Sequence, residues 1–105
     1  MKRFRVEILP EAEAEFREAF QWYLERSPLA ADAFRAEVLE KIDGLADDAD
    51  TWPKDENGIH FRILSRFPYT IHYELASGVA TVLAVAHQRA SAGVLESEEI
   101  ASTLV

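Results

Sequence analysis

The sequence predicts an α+β fold: an N-terminal strand, an antiparallel helical hairpin, then a three-stranded antiparallel meander, with the helices packed on one face of the sheet. Two observations predict it. From Phe67 the apolar residues alternate (Phe67, Tyr69, Ile71, Tyr73, Leu75) with Pro68, Thr70, His72 and Glu74, the period of a strand with one buried face. Upstream, two stripes of helical period are separated only by Ser27-Pro28, and that order of elements leaves the helices on one side of the sheet.

Each element has a local reason. Phe4, Val6 and Ile8 alternate with Arg3, Arg5 and Glu7 to give a short first strand. Pro10 suits the first turn of a helix, where its missing N–H costs nothing, and Glu11, Glu13 and Glu15 favour the positive end of the helix dipole. Phe16, Ala19, Phe20, Tyr23 and Leu24 form one apolar stripe that should end near Arg26. Ser27 caps a second helix with Pro28 at its first position, and Phe34, Val38, Ile42 and Leu45 are its buried residues. So short a junction makes a helical hairpin. Asp47, Asp48 and Asp50 disfavour the negative helix end, so residues 47–58 read as a loop anchored by Trp52-Pro53, with Asn57-Gly58 as a turn.

Strands follow over about 59–65, 68–75 and 79–88, the last pair joined by a tight turn at Ser77-Gly78. Residues 79–86 are apolar at nearly every position, as in a strand covered on both faces. Ala92 to Leu104 reads as a short acidic helix or a loose tail. The whole of 1–105 reads as one domain, large enough for a core without staples.

Composition narrows the function classes. There is no cysteine, so disulfides and thiolate chemistry are excluded and a reducing cytoplasm is the natural compartment. No signal peptide or membrane-spanning run is legible. The balance of 19 acidic against 11 basic residues, a formal charge of −8, argues against non-specific nucleic-acid binding, which needs phosphate neutralisation; no direct sequence-specific nucleic-acid partner is expected either. Thirteen of the acids lie in residues 1–50, on helix faces that read as solvated.

The stretch from Gly58 to Arg89 inverts that charge. It holds all three histidines, three arginines and a single acid, Glu74. Counting back from the Ser77-Gly78 turn places Tyr73 opposite Val82, Ile71 opposite Ala84 and Tyr69 opposite Ala86, a core face shared with Phe61 and Ile63. A similar count about Arg66 sets His60 across from His72 and Arg62 across from Thr70. His60, Arg62, His72 and His87 would then share the face away from the helices, with Arg89 at its end and Leu64, Leu83 and Val85 among them. This expectation depends on both turn lengths, because a one-residue slip swaps the faces. Such a surface either shields the sheet with Arg and His or docks a protein segment or anionic ligand. Tyr23, Tyr69 and Tyr73 fall on core faces and read as packing residues. Trp22, beside the helical stripe, is placed to contact a partner. No metal or other cofactor is expected, since no two histidines lie at ligand spacing on one element with a carboxylate.

Phe67-Pro68-Tyr69-Thr70-Ile71-His72-Tyr73, followed by Val82-Leu83-Ala84-Val85-Ala86-His87-Gln88-Arg89, resembles the end of the RelE/ParE toxin superfamily, near its ParE-like plasmid-stabilisation branch. Pro10-Glu11-Ala12, Trp22-Tyr23-Leu24-Glu25 and Ser27-Pro28 extend the resemblance, which covers about residues 4–90. It implies the toxin of a type II toxin–antitoxin pair, wrapped by a cognate antitoxin in a larger oligomer. ParE-like members inhibit DNA gyrase by binding; RelE-like members cut mRNA on the ribosome. Cutting RNA needs a base, a charge stabiliser and an acid. His87 with Arg89 and Arg62 could supply these, but the strands carry no lysine and the net charge opposes approach to a ribosome. The gyrase branch fits better, with Arg62, Arg66, His87 and Arg89 as its functional edge and His60, His72, Leu83 and Val85 as further target- or antitoxin-binding residues. An mRNA-cleaving ribonuclease and a module that only binds an antitoxin are the alternatives. Family members usually continue after the His-Gln-Arg with a second arginine, a proline and an aromatic pair; this chain has Ala90-Ser91-Ala92-Gly93-Val94-Leu95 instead.

Overall fold

The structure is a computed structural model, and it describes residues 2–91; the helix or tail expected over 92–105 lies outside them. The elements are β1 (Arg5–Ile8), α1 (Pro10–Arg26), α2 (Pro28–Asp48), β2 (His60–Ile63), β3 (Tyr69–Ala76), β4 (Val79–His87) and the single turn α3 (Gln88–Ser91). They form the expected α+β arrangement. The sheet order is β1-β4-β3-β2, so β1 runs beside the last long strand, parallel to it, with Arg5 against Val79 and Ile8 against Val82. Nothing in the strand's own pattern specified that neighbour.

The helical hairpin forms as its caps dictate. Ser27 ends α1 through its N–H to the Tyr23 carbonyl and starts α2 by accepting the Ala30 N–H on its Oγ at 3.2 Å. Phe34, Val38, Ile42 and Leu45 of α2 are buried against Ile71, Tyr73, Val82 and Val85 of the sheet. Phe34 sits among Phe16, Tyr23, Phe67 and Tyr69 with ring centroids 5.0–5.7 Å apart. Burying one such side chain contributes on the order of 2–3 kcal/mol.

Two register details decide which residues face the helices, and both overturn the face assignment made from sequence. The turn at Ser77-Gly78 is as expected: both residues have positive φ, 52° and 78°, and Ala76 pairs with Val79, Tyr73 with Val82. Past that point β4 carries a bulge. His72 pairs with Ala84, so Leu83 is the extra residue, and Ile71 and Tyr69 face Val85 and His87 instead of Ala84 and Ala86. A bulge flips the inward set of the bulged strand. Val85 is accordingly core, at 2% exposure.

The β2–β3 connection is also one residue longer than counted. His60 pairs with Tyr73 and Arg62 with Ile71, not with His72 and Thr70. His60, Arg62 and Leu64 therefore turn towards the helices, while Phe61 and Ile63 turn away, and Ile63 is 53% exposed. Of the residues expected on the open face, His72 and Leu83 stay there; His60, Arg62, Leu64, Val85 and His87 do not.

Candidate functional site

The site follows from where β1 stops. Pro10 commits the chain to α1, so β1 ends at Ile8, opposite Val82. Beyond Val82 the outer edge of β4 has no strand beside it among the described residues and is backed by α1. The exposed ladder position at Val85 is satisfied by a side chain: its N–H donates to Glu15 Oε1 at 2.8 Å. Between α1 and this end of the sheet lies an open groove of about 600 Å³.

One wall of the groove is a single face of α1. Glu15, Glu18 and Trp22 are spaced i, i+3 and i+7, with Ala19 and Tyr23 beside them. The opposite wall is Pro68 and Tyr69 from the start of β3 with Val85, Ala86 and His87 from the end of β4. The aromatic groups form a chain of edge-to-face contacts, Trp22 to Tyr23 at 5.1 Å, Tyr23 to Tyr69 at 6.3 Å and Tyr69 to His87 at 5.2 Å. Burial first, then the neighbouring Tyr69, holds the Tyr23 hydroxyl above its ordinary pKa, and burial raises Tyr69 likewise. Both stay protonated at neutral pH. Trp22 is half exposed, and the Arg26 guanidinium lies 3.8 Å from its ring centroid, a cation–π contact.

The sequence-selected residues do not converge on one surface. His60 is buried, its ring stacked on Tyr73 at 4.9 Å with 10° between planes and its Nδ1–H donating to the Trp52 carbonyl at 2.7 Å. Arg62 donates to the Lys41 carbonyl at 3.2 Å and lies 4.1 Å from the Trp52 ring centroid. Both hold the 47–58 loop against the sheet. Arg66 is an exposed turn residue. His72 is half-buried on the open face between Phe61 and Ala84; burial lowers its pKa, with Asp55 and Glu15 opposing. Leu83 is partly exposed on the same face. His87 lines the groove, its Nδ1 accepting the Arg89 N–H at 3.1 Å, and Arg89 is exposed beyond it. Arg62 and Val85 are separated by β3 (Arg62 against Ile71, Ile71 against Val85), roughly 10 Å at ordinary strand spacing. Arg62 is thus not brought to His87 and Arg89. Among the described residues no three His, Cys, Asp or Glu side chains could hold a metal ion, and no helix is long and apolar enough to cross a membrane.

Over residues 6–91 the sequence matches the family described as the ParE toxin of type II toxin–antitoxin systems, parDE. The chain belongs to the ParE toxin family. A solved structure of the chromosomal ParDE toxin–antitoxin system from P. aeruginosa has the same fold: TM-score 0.72 at 16% identity, covering 81% of this chain and 96% of that one. Among curated protein sequences none matches. The aligned span ends at Ser91, so it takes in the whole groove and the His87-Gln88-Arg89 segment.

In this ParE-family chain sequence reasoning missed two carboxylates that hold the framework, Glu15 beside the groove and Glu37 at the β2–β3 turn. Glu15 was read only as a helix-dipole residue, and Glu37 was lost within the apolar stripe of α2. Glu37 is 6% exposed and its carboxylate accepts the N–H groups of Ser65 and Arg66, closing the β2–β3 turn. Its position three residues after Phe34, on the buried face, was the available signal.

Proposed function

We propose that this ParE-family protein is the toxin of a type II toxin–antitoxin pair, acting in the cytoplasm by binding DNA gyrase and neutralised by a cognate antitoxin. The family match over residues 6–91 supports the toxin assignment. The observation that favours binding over RNA cleavage is the dispersal of the candidate nuclease groups. Arg62 is committed to the Lys41 carbonyl and Trp52, while His87 lies across β3 beside α1. A general base and a phosphate clamp must share one reacting phosphate. The groove beside α1, with Trp22 half exposed at its rim, has instead the character of a protein-docking site, where Trp and Tyr concentrate binding energy.

Inducible expression of the protein alone tests this, scored by growth, plasmid supercoiling and RNA integrity. Growth arrest with relaxed or cleaved plasmid and intact RNA is expected, together with relief by co-expression of the antitoxin. Fragmented transcripts with unaffected plasmid would replace the gyrase reading by ribonuclease action. Normal growth would leave only antitoxin binding.

A further inference from the structure

The groove between α1 and the end of β4 has a chemical character that a docking role by itself does not explain. Its two acidic residues have no ion pair among the described residues, unlike Glu13 and Glu25 of the same helix, which pair with Arg17 and Arg26. Glu15 commits only its Oε1, to the Val85 N–H, and Glu18 makes no hydrogen bond or ion pair among the described residues. Among the described residues no lysine or arginine lines the groove, the Arg26 guanidinium on Trp22 standing at its rim. The histidine that does, His87, accepts the Arg89 N–H on its Nδ1. The described lining therefore sets two carboxylates beside the rings of Trp22, Tyr23 and Tyr69.

We propose that this groove receives an arginine side chain presented by a segment of a partner protein, its guanidinium held by the Glu15 and Glu18 carboxylates against the aromatic wall. That the partner is the antitoxin rests on the function proposed above; the recognition chemistry does not. A guanidinium fits better than an ammonium because it is planar and offers five donors in a fixed fork, so it stacks on a ring and bonds carboxylates at once. Trp22 already carries one guanidinium, that of Arg26 at 3.8 Å, which shows the ring accepting this partner type. The Tyr23 and Tyr69 hydroxyls make no hydrogen bond among the described residues and are further acceptors. A volume of about 600 Å³ lies in the ordinary range for ligand sites and leaves room for the backbone that carries the arginine. A protein of charge −8 also favours encounter with a basic segment over an acidic one.

The test uses the isotopically labelled protein, titrated with N-acetyl-arginine amide and, separately, with the uncharged isostere N-acetyl-citrulline amide, followed by amide NMR shifts. Arginine should move the Trp22 indole and the Ala86 and His87 amides, with citrulline weaker by on the order of fivefold or more. Glu18→Gln should weaken arginine binding by about threefold to tenfold, while Glu40→Gln, the same charge change outside the groove, should leave it unaltered. Equal response to both probes would mean an apolar occupant and would overturn the proposal. So would arginine shifts confined to residues outside the groove, or indifference to Glu18→Gln. Because the probe binds the free protein, failure here leaves growth arrest and antitoxin capture untouched. Conversely, a non-toxic protein could still bind arginine.

Discussion

The Glu37 carboxylate accepts the Arg66 N–H at 3.1 Å and the Ser65 N–H alongside it, so a residue in the middle of α2 fixes the turn between β2 and β3. The bond to this turn explains why an acid survives in a buried stripe: the part-buried amides of a tight connection need an acceptor, and a carboxylate supplies two. Lys41, 3.6 Å away, neutralises it. Glu37→Ala strands both N–H groups and should destabilise the fold by about 2–3 kcal/mol, read as a lower urea midpoint.

The same residue sets an acid limit. Burial pushes the Glu37 pKa up, but the Ser65 and Arg66 N–H groups and Lys41 outweigh it and hold the value below the ordinary 4.5. A folded-state pKa below the unfolded one adds stability above about pH 4.5 that drains as the pH falls through the folded value. Stability of the wild type should therefore drop more steeply below pH 4.5 than that of Glu37→Gln. Parallel curves would show that the carboxylate's charge is immaterial.

Tyr73 ties the sheet to the end of α2. Its hydroxyl donates to the Ala49 carbonyl at 2.5 Å. Burial pushes its pKa up to about 12, Asp48 adds to that, Arg62 opposes it and Asp50 adds again. Tyr73→Phe should cost about 1 kcal/mol, the net value of one neutral hydrogen bond, and His60→Ala, which also empties the space stacked on that ring, more than 2 kcal/mol. Thermal unfolding of both variants checks the order.

Gly44 lies inside α2, and a Cβ there would stand 3.3 Å from Arg62 Nη1. Gly to Ala in a helix interior normally stabilises by about 1 kcal/mol. In the wild type, Gly44→Ala should give less than that, because Arg62 must shift from the Lys41 carbonyl. In an Arg62→Ala background the full gain should return. A double-mutant cycle measures the difference; additivity would mean that the two positions do not meet.

The turn between β3 and β4 has Ser77 at φ 52° and Gly78 at φ 78°. Asn tolerates the left-handed region better than Ser and is favoured first in a two-residue hairpin turn of this kind. Ser77→Asn should raise stability by about 0.5 kcal/mol, whereas Gly78→Ala should lower it by about 1 kcal/mol. Chemical denaturation of both reads the two signs.

The sequence by itself determined the elements and their order. Pro10, Ser27-Pro28 and Ser77-Gly78 are local signals whose effect depends on a few neighbouring backbone groups, and all three act where expected. The same is true of the α2 stripe and of Tyr69, Ile71 and Tyr73 on the core face. What the tertiary structure decided is everything that depends on register between strands. One bulged residue at Leu83 turned Val85 and His87 inwards, and one extra residue in the β2–β3 connection turned His60 and Arg62 inwards, because the side-chain period of a strand is two and any single insertion exchanges its faces. Trp22 was expected to contact a partner and the Gly58–Arg89 stretch to carry the function, and both supply residues that line the candidate groove. The groove itself was not legible, because it exists only where β1, pairing with β4, stops short and leaves α1 to face the end of the sheet. Pairing between segments some seventy residues apart, like the Glu15 to Val85 bond, leaves no mark in either segment alone.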